Sequence, residues 1–254
     1  MYQISYLQPT KRMSKKNKDF RPRLKGNKLA AYKNITKEES RVLVIGDPHE
    51  PFCKEDYRKF CKETYNKHNC NAVVIIGDII DNHYSSYHET DSDGMGGKDE
   101  LEFSISKIGQ WYKDFPEAYV TLGNHDRIII RKAQTSNIPS RWIREFGEVL
   151  ETPNWKFVTD VYIDGVRYVH GDKSGKPRVA AKRDMVSTVS GHYHTDMYCE
   201  WYFGKTRAIF AMAVGCGIDS SSYAMGYMQG GKKEAIGCGV VIGGHTAFNV
   251  KMDL

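Results

Sequence analysis

Residues 72–81 read AVVIIGDIID, an apolar, β-branched run that stops at Gly77-Asp78. Two other runs end in the same way: Val42–Ile45 runs into Gly46-Asp47-Pro48-His49, and Ala118–Leu122 runs into Gly123-Asn124-His125-Asp126. A stretch that favours a helix follows Val42–Ile45, at about residues 54–68, and another follows the run that begins at Ala72, at about residues 98–114. In the second stretch, one helix face would carry the apolar side chains of Leu101, Ile105, Ile108 and Trp111. Alternating short strands and helices predict crossover units and a parallel sheet.

The second half of the chain has a different pattern. After Ser140 we predict a short amphipathic helix, and then Val161–Ile163 and Val166–Val169 flank Asp164-Gly165, a dipeptide that favours a type I′ hairpin turn. A helix is predicted near Arg178–Asp184. Further strands are predicted at Met197–Phe203, Arg207–Val214, Gly239–Ile242 and Ala247–Lys251. We therefore expect an α/β domain whose first half is parallel and whose second half is largely antiparallel.

The net charge of +6 is concentrated at the N-terminus. Residues 1–40 contain 11 Lys or Arg against 3 acidic residues, whereas the rest of the chain carries a net charge of −2. We divide the chain into a basic N-terminal extension, residues 1–40, and one domain, residues 41–254. The extension has two interpretations, an arm that contacts nucleic acid or a solvated segment that aids solubility.

The remaining composition bears on the cellular compartment. The six cysteines form no CxxC pair and no regular spacing, which disfavours a disulfide framework or a cysteine zinc site. The N-terminal residues are polar and basic, and the longest nearly apolar stretch, Ala208–Val214, is too short to cross a bilayer. We expect a cytoplasmic protein without a membrane partner.

Five polar clusters follow the predicted strands. In an open α/β sheet, side chains that leave the carboxyl ends of neighbouring strands converge, and this is where ligands bind. Any one cluster is more simply explained as a helix cap, a turn or a surface histidine. Five of the nine histidines fall in the clusters, and so many coincidences at strand ends indicate one site. The clusters are Asp47-x-His49, Gly77-Asp78-x-x-Asp81, Gly123-Asn124-His125-Asp126, His170-Gly171 and Gly191-His192-x-His194.

This ordered set resembles the motifs of the calcineurin-like metallophosphoesterases, and the resemblance runs from Arg41 to about His194. It implies a two-sheet mixed β sandwich flanked by helices, with the motifs at one edge of the sheets. It also implies two metal ions bridged by Asp78. The ligands of one ion would be Asp47, His49, Asp78 and His194, and those of the other would be Asp78, Asn124, His170 and His192.

The donor types agree with this resemblance. Carboxylate, imidazole and amide ligands without thiolate suit borderline divalent ions, so we expect Mn²⁺ first, with Fe²⁺ or Zn²⁺ as alternatives. Two such ions lower the pKa of a water molecule and neutralise phosphate oxygens, which permits hydrolysis of a phosphate ester. The resemblance gives His125 the role of protonating or stabilising the departing oxygen, and Asp81 that of orienting His125. Asp126 and Asp172 are either supporting acids or turn residues.

The chain departs from the Ser/Thr protein phosphatases of this family. Those enzymes carry Arg-Gly directly after the G-D-x-x-D motif and Glu after G-N-H, whereas this chain has Asn82-His83 and Asp126. The difference favours the phosphodiesterase and nuclease branches, although Arg127 or Arg178 could replace the missing arginine. Residues 82–100, with His83, Tyr84, Tyr87 and His88, form either a substrate-specificity segment or a flexible surface loop.

We therefore expect a two-metal hydrolase acting on a phosphate ester, in particular a phosphodiesterase for a nucleotide or nucleic acid. Two alternatives stay open. One is a phosphomonoesterase for small molecules or phosphoproteins. The other is a nucleic-acid-binding or scaffold protein that keeps the fold without the activity.

Overall fold

The computed structural model describes residues 39–87, 90–222 and 233–253. The strands are β1 Arg41–Ile45, β2 Ala72–Ile75, β3 Tyr119–Thr121, β4 Lys156–Val158, β5 Asp160–Ile163, β6 Val166–Val169, β7 Ser187–Ser190, β8 Met197–Phe203, β9 Ala208–Val214, β10 Gly237–Ile242 and β11 Thr246–Lys251. The helices are α1 Tyr57–Lys67, α2 Gly97–Asp114, α3 Ile128–Thr135, α4 Phe146–Val149 and α5 Pro177–Asp184, with 3₁₀ turns at His83–Ser85 and Ser140–Trp142.

The strands form two mixed sheets. The six-stranded sheet has the order β11-β10-β1-β2-β3-β4, and its β1 to β4 are parallel, as predicted for the first half. The five-stranded sheet has the order β5-β6-β7-β9-β8. There the expectation of a largely antiparallel second half is wrong for the central pairs, because β6, β7 and β9 are parallel. The physical reason is that α5 connects β6 to β7 as a crossover, which only parallel neighbours need.

The hairpin prediction is confirmed. Strands β5 and β6 are antiparallel, with Ile163 opposite Val166. The connecting residues Asp164 and Gly165 both have positive φ, at 49° and 73°. Both central residues of a type I′ turn require that region, and its twist matches the flanking strands.

Three apolar clusters hold the layers together. Between the sheets, residues such as Val44, Val74 and Tyr168 are buried against Phe210 and Met212. On the outer face of the first sheet, α1 and α2 contribute Tyr57, Cys61, Ile108 and Trp111 to a second cluster. On the outer face of the second sheet, Ala181 of α5 packs on Ile209 and Ala211. The predicted two-sheet sandwich flanked by helices is confirmed.

Helix α2 buries more than its predicted apolar face. Ile108 and Trp111 are fully buried, and Leu101 and Ile105 pack against the core from partly buried positions. Two polar residues on the inner side, Glu100 and Ser104, are also fully buried. Ser104 donates a hydrogen bond to the Glu50 carbonyl at 3.2 Å, so this helix also supports the loop after β1.

Three further predictions concern the N-terminal extension, the state of the cysteines and a membrane-spanning helix. The proposed extension, residues 1–40, lies almost entirely outside the described residues. All six cysteines are free thiols. Within the described ranges, none of the helices combines the length and apolar character that a membrane span requires.

Candidate metal centre

The loops that follow β1, β2, β3, β6 and β7 meet at one edge of the sandwich. The first two loops run side by side, because the His49 amide donates to the Asp78 carbonyl at 2.8 Å and the Asp81 amide donates to the Glu50 carbonyl at 3.0 Å. Asp47, His49, Asp78 and His170 are each at most 1% exposed. Polar side chains buried this deeply require partners, so their mutual arrangement is informative.

One group of donor atoms gathers around Asp47. The Nε2 atom of His194 lies 3.3 Å from Asp47 Oδ2 and 3.1 Å from His49 Nε2. His49 Nε2 in turn lies 3.8 Å from Asp78 Oδ2. We call Asp47, His49, Asp78 and His194 the first ligand set. All four of these expected ligands come together.

A second group gathers around His170. Its Nε2 atom lies 3.0 Å from Asn124 Oδ1 and 3.1 Å from Asp78 Oδ2. Ligand atoms of Asp78, His170 and His192 lie within 4.8 Å of one another. We call Asp78, Asn124, His170 and His192 the second ligand set. The Oδ2 atom of Asp78 faces both sets, as a bridging carboxylate would.

Hydrogen bonds from the protein fix the orientation of both rings that flank Asp78. Asp81 Oδ1 lies 2.7 Å from Nδ1 of His49, and the Ile76 carbonyl lies 3.0 Å from Nδ1 of His170. Because each Nδ1 atom has an acceptor, the hydrogen-bond network assigns its proton there. The Nε2 atoms are then left with a lone pair that points at Asp78, which is the form in which histidine binds a metal.

The carboxylates are held by backbone amides. The His192 amide donates to Asp47 Oδ2 at 2.7 Å, and the His125 amide donates to Asp78 Oδ1 at 2.8 Å. Such close approach requires glycine at the neighbouring positions. A Cβ atom on Gly123 would overlap Asp78 Oδ1, and one on Gly191 would overlap Asp47 Oδ1. The glycines of two motifs therefore have a packing role beside the carboxylates of Asp47 and Asp78, two candidate ligands.

The backbone is strained at three of the candidate ligands. His49, Asp78 and His192 have φ values of 53°, 45° and 67°. Residues other than glycine rarely adopt this left-handed region, and each instance costs on the order of 1 kcal/mol or more. Strain of this kind persists where the surrounding contacts over-determine the loop, and it is concentrated at functional sites.

The donor set suits a cation. Asp47 Oδ1 is buried and has no hydrogen-bond partner among the described residues, although an unpaired buried carboxylate oxygen is costly. Four imidazole rings, two carboxylates and an amide oxygen converge in the two ligand sets. A divalent ion in each set would satisfy these donors, and the absence of thiolate suits borderline metals.

His125 and Asp81 lie beside the ligand sets. The Nδ1 atom of His125 lies 3.2 Å from Oδ1 of Asp81 and 2.8 Å from the backbone carbonyl oxygen of Asp81. The rings of His49 and His125, which both contact Asp81, pack edge to face with 4.7 Å between their centroids. Asp81 thus contacts a candidate ligand as well as the candidate acid, a double role that the motif spacing did not predict. These three residues also form a third group that could hold a cation.

Neighbouring charges shift the pKa values of the histidines in both directions. Burial lowers the pKa of His49, and burial with the nearby His170 lowers that of His192. Burial also opposes charge on His125, but the Asp81 hydrogen bond and the Asp78 charge outweigh it and raise its pKa to about 10. The same balance, with Asp78 and Asp47, raises the pKa of His170 to about 10. A cation held by Asp78 would oppose both increases.

Two acids that the sequence left ambiguous have different roles. The carboxylate of Asp126 is buried and accepts backbone N–H bonds from Asp78, Gly123 and Ile79 at 2.7 to 3.0 Å. It ties the loop after β2 to the loop after β3, so it supports the ligand loops from behind. Asp172 instead forms an ion pair with Arg127.

The two arginines that could replace the missing phosphate clamp are also distinguished. Arg127 lines a cavity that His170 also lines. Arg178 lies on the outer face of the second sheet, where it stacks on Tyr198 at 3.9 Å and pairs with Glu200. Arg127 is therefore the arginine placed near the candidate ligands.

The segment after Asp81 is more ordered than a flexible loop. His83 and Ser85 are buried in a 3₁₀ turn, and Glu100 of α2 accepts the amides of His83 and Tyr84 at 2.7 and 3.0 Å. Glu100 has no motif signal and was missed by the sequence reasoning. His88 lies outside the described residues.

Comparison with known proteins identifies the class. The family model for the calcineurin-like phosphoesterases matches residues 40–247, so the chain belongs to the calcineurin-like phosphoesterase family. The family-level prediction is confirmed. The family acts on phosphate esters and generally binds divalent metals. No curated protein matches the chain.

Three solved structures are similar to this chain. Vacuolar protein sorting 29 from Cryptosporidium parvum is 14% identical over 85% of this chain and 99% of that one, with a TM-score of 0.44. YfcE, a phosphoesterase from E. coli, is 12% identical over 79% and 87%, with a TM-score of 0.41. The Pseudomonas putida nuclease MPE is 13% identical over 82% and 87%, with a TM-score of 0.39. At such low identities and scores, these likenesses carry no argument about activity.

Proposed function

We propose that this protein is a two-metal-dependent phosphoesterase, and specifically a phosphodiesterase that acts on a nucleotide or nucleic acid. The observation that carries the proposal is the position of Asp78. Its Oδ2 atom lies 3.1 Å from His170 Nε2 and 3.8 Å from His49 Nε2, between two groups of metal-binding side chains. This shared carboxylate is what a pair of neighbouring cations requires.

The first ligand set would hold one ion and the second ligand set the other. Mn²⁺ is our first candidate, with Fe²⁺ or Zn²⁺ as alternatives, because the donors are mixed oxygen and imidazole nitrogen. When bound, such ions lower the pKa of water and neutralise the oxygens of a phosphate. The buried Asp47 and Asp78 would hold them through their charges. The hydrogen bonds that His49 and His170 donate from Nδ1 to Asp81 and to the Ile76 carbonyl would keep both rings in position.

His125 would donate the proton that the departing oxygen needs. It stands next to Asn124 but outside both ligand sets, and its Nδ1 atom is occupied by Asp81, so its Nε2–H is the group available to a substrate. Asp81 would orient the ring and stabilise its charge. Proton donation of this kind contributes roughly 10²- to 10⁴-fold in rate.

The preference for diesters rests on two sequence features. Asp126 stands where the protein phosphatases have Glu, and no arginine follows Asp81 directly. The basic residues of the N-terminal extension would favour a nucleic-acid substrate. Free cysteines agree with a reducing compartment, and we propose the cytoplasm.

The decisive experiment combines metal analysis with a substrate panel. The protein is purified, its metals are quantified, and hydrolysis is measured on monoesters, diesters, cyclic nucleotides, and single- and double-stranded DNA. We expect two equivalents of metal and preferential cleavage of diesters. A preference for monoesters would support the phosphatase alternative. Bound nucleic acid without hydrolysis of any ester would support the binding or scaffold alternative, against which the complete ligand sets argue.

A further inference from the structure

A basic cavity adjoins the second ligand set. Its volume is about 240 Å³, and His170 forms part of its wall. Because His170 Nε2 also faces Asp78, the cavity lies directly beside the candidate metal centre. Its wall holds two carboxylates, Asp160 and Asp172, and a larger number of cationic side chains, namely Arg127, Arg167, Lys173 and Arg183.

Two of these cations are engaged by carboxylates. Arg167 lies 3.0 Å from Asp160 and 3.2 Å from Asp184. Arg183 lies 2.7 Å from Asp184. Because carboxylates already engage both guanidinium groups, we assign Arg167 and Arg183 to the wall of the cavity and not to the binding of a ligand.

The other two cations are less satisfied. Arg127 pairs with Asp172, but its Nε–H is buried and has no hydrogen-bond partner within the described part of the chain. Lys173 is exposed, and within the described residues its ammonium group makes no hydrogen bond or ion pair. A lysine and an under-satisfied arginine in one small cavity form a site for an anion, and phosphate is an anion whose geometry the guanidinium group matches.

The size of the cavity restricts the ligand. Pockets for drug-sized molecules span roughly 300–1,000 Å³, so this cavity suits a single phosphate group better than a whole nucleotide. The phosphate that is hydrolysed would lie at the candidate metal centre beside Asp78. A second phosphate can reach the cavity at the same time only if the substrate carries two phosphates in neighbouring positions. A nucleic-acid strand and a nucleoside polyphosphate share this property.

We propose that this cavity binds a second phosphate of the substrate, next to the phosphate that is hydrolysed, with Lys173 and Arg127 as its ligands. The inference deepens the proposed function and rests on it. It makes the protein selective for diesters within a chain of phosphates over isolated diesters. In particular, a dinucleotide with a terminal phosphate should be a better substrate than one without.

The test compares four substrates on three proteins. The substrates are the thymidine dinucleotides TpT, pTpT and TpTp, and thymidine diphosphate, which separates a polyphosphate source from a nucleic-acid source. The proteins are the wild type, Lys173→Gln, and Lys113→Gln as a control that removes another exposed lysine, from α2. For each protein we take the ratio of kcat/KM for a phosphorylated dinucleotide to that for TpT.

In the wild type we expect pTpT or TpTp, according to the direction of the strand, to exceed TpT about tenfold, the effect of one charge-assisted contact. Lys173→Gln should bring that ratio close to one, and Lys113→Gln should preserve it. An equal ratio in Lys173→Gln and wild type overturns the inference while diester hydrolysis itself stands. A preference for thymidine diphosphate alone, lost in Lys173→Gln, keeps the phosphate site and assigns it to polyphosphates.

Equilibrium binding separates failure of the site from failure of the enzyme. If the wild type hydrolyses no ester, the proposed function fails, and the affinity of each protein for pTpT and TpT is measured with chelator present. A stronger binding of pTpT than of TpT that depends on Lys173 then supports the phosphate site. Equal binding of both dinucleotides by wild type and Lys173→Gln overturns it.

Discussion

The two ligand sets share Asp78 but differ in charge and in support. The first ligand set adds the carboxylate of Asp47, whereas the second adds the neutral amide of Asn124. The His49 ring in the first set is held by a carboxylate, that of Asp81 at 2.7 Å, whereas the His170 ring in the second is held by the carbonyl of Ile76 at 3.0 Å.

This difference predicts which ion should bind more strongly. A set with two carboxylates attracts a divalent cation more than a set with one, and a carboxylate behind an imidazole raises the basicity of the ring. We therefore expect an unequal pair, in which the ion of the first ligand set is retained and that of the second exchanges more readily.

The largest effect should come from the shared carboxylate. Asp78→Asn removes the charge that both sets use, so we expect hydrolysis to fall to background and both metal equivalents to be lost, with the fold retained. Elemental analysis and circular dichroism of the purified variant measure this. A variant with two metal equivalents and wild-type activity would contradict the bridging role.

Two glycines offer a way to separate the sets. Gly123→Ala places a methyl group against Asp78 and should weaken both ions, whereas Gly191→Ala places it against Asp47 and should weaken the first ion alone. Metal titration followed by calorimetry measures the two affinities. We expect loss of the tighter ion in Gly191→Ala and loss of both in Gly123→Ala.

Gly109→Ala is the matched control for these substitutions. Gly109 lies within α2, and a Cβ atom there meets nothing within 4 Å. Alanine should stabilise the helix by up to about 1 kcal/mol and leave both metal affinities unchanged. If Gly123→Ala weakens only the ion that Gly191→Ala weakens, the assignment of Asp78 to both ligand sets is wrong.

The candidate acid should affect the rate without affecting metal content. His125→Ala should lose roughly 10²- to 10⁴-fold on an ester with an alkoxide leaving group. The loss should shrink on a nitrophenyl ester, because nitrophenolate barely needs a proton. The measurement is the rate as a function of leaving-group pKa, with metal content determined in parallel. Equal losses on all esters would assign His125 to phosphate binding, and loss of metal would make it a ligand.

Asp81→Asn distinguishes the two contacts of Asp81. It should lower the rate less than His125→Ala, since the imidazole stays in place. Because Asp81 also supports His49, the variant should weaken the first ion by roughly 10- to 100-fold, an effect that His125→Ala lacks. Unchanged metal affinity in Asp81→Asn would show that its contact with His49 has no role in binding the ion.

The smallest effect on chemistry should come from the N-terminal extension. Deleting residues 1–40 should weaken binding of DNA or RNA and flatten its salt dependence, because each lysine or arginine that contacts a phosphate releases a counterion. Cleavage of a small generic diester should be unchanged. Equal binding by both proteins at every salt concentration would leave the extension with a role in solubility alone.

Local patterns were sufficient for much of the fold. The strand from Met197 to Phe203 and the turn at Asp164-Gly165 agree with their predictions, because apolar alternation and turn residues act over a few neighbours. The parallel pairing of β6, β7 and β9 was not predicted, because strand partners depend on the path of the chain and not on its local sequence. The contact between Glu100 and the turn after Asp81 was also missed, because a buried glutamate on a helix has no distinguishing pattern.

The amino-acid sequence was enough to predict the family, the order of the polar clusters and their positions after strands, because side-chain chemistry and strand periodicity are local properties of the chain. The family resemblance predicted which clusters form each ligand set, and the tertiary structure decided how close their atoms lie. Asp47 and His194 are distant in the chain, yet their ligand atoms lie 3.3 Å apart because β1 and β7 belong to sheets that pack face to face. It also placed Arg127, and not Arg178, beside the candidate ligands, since that choice depends on which face of the sandwich each residue occupies.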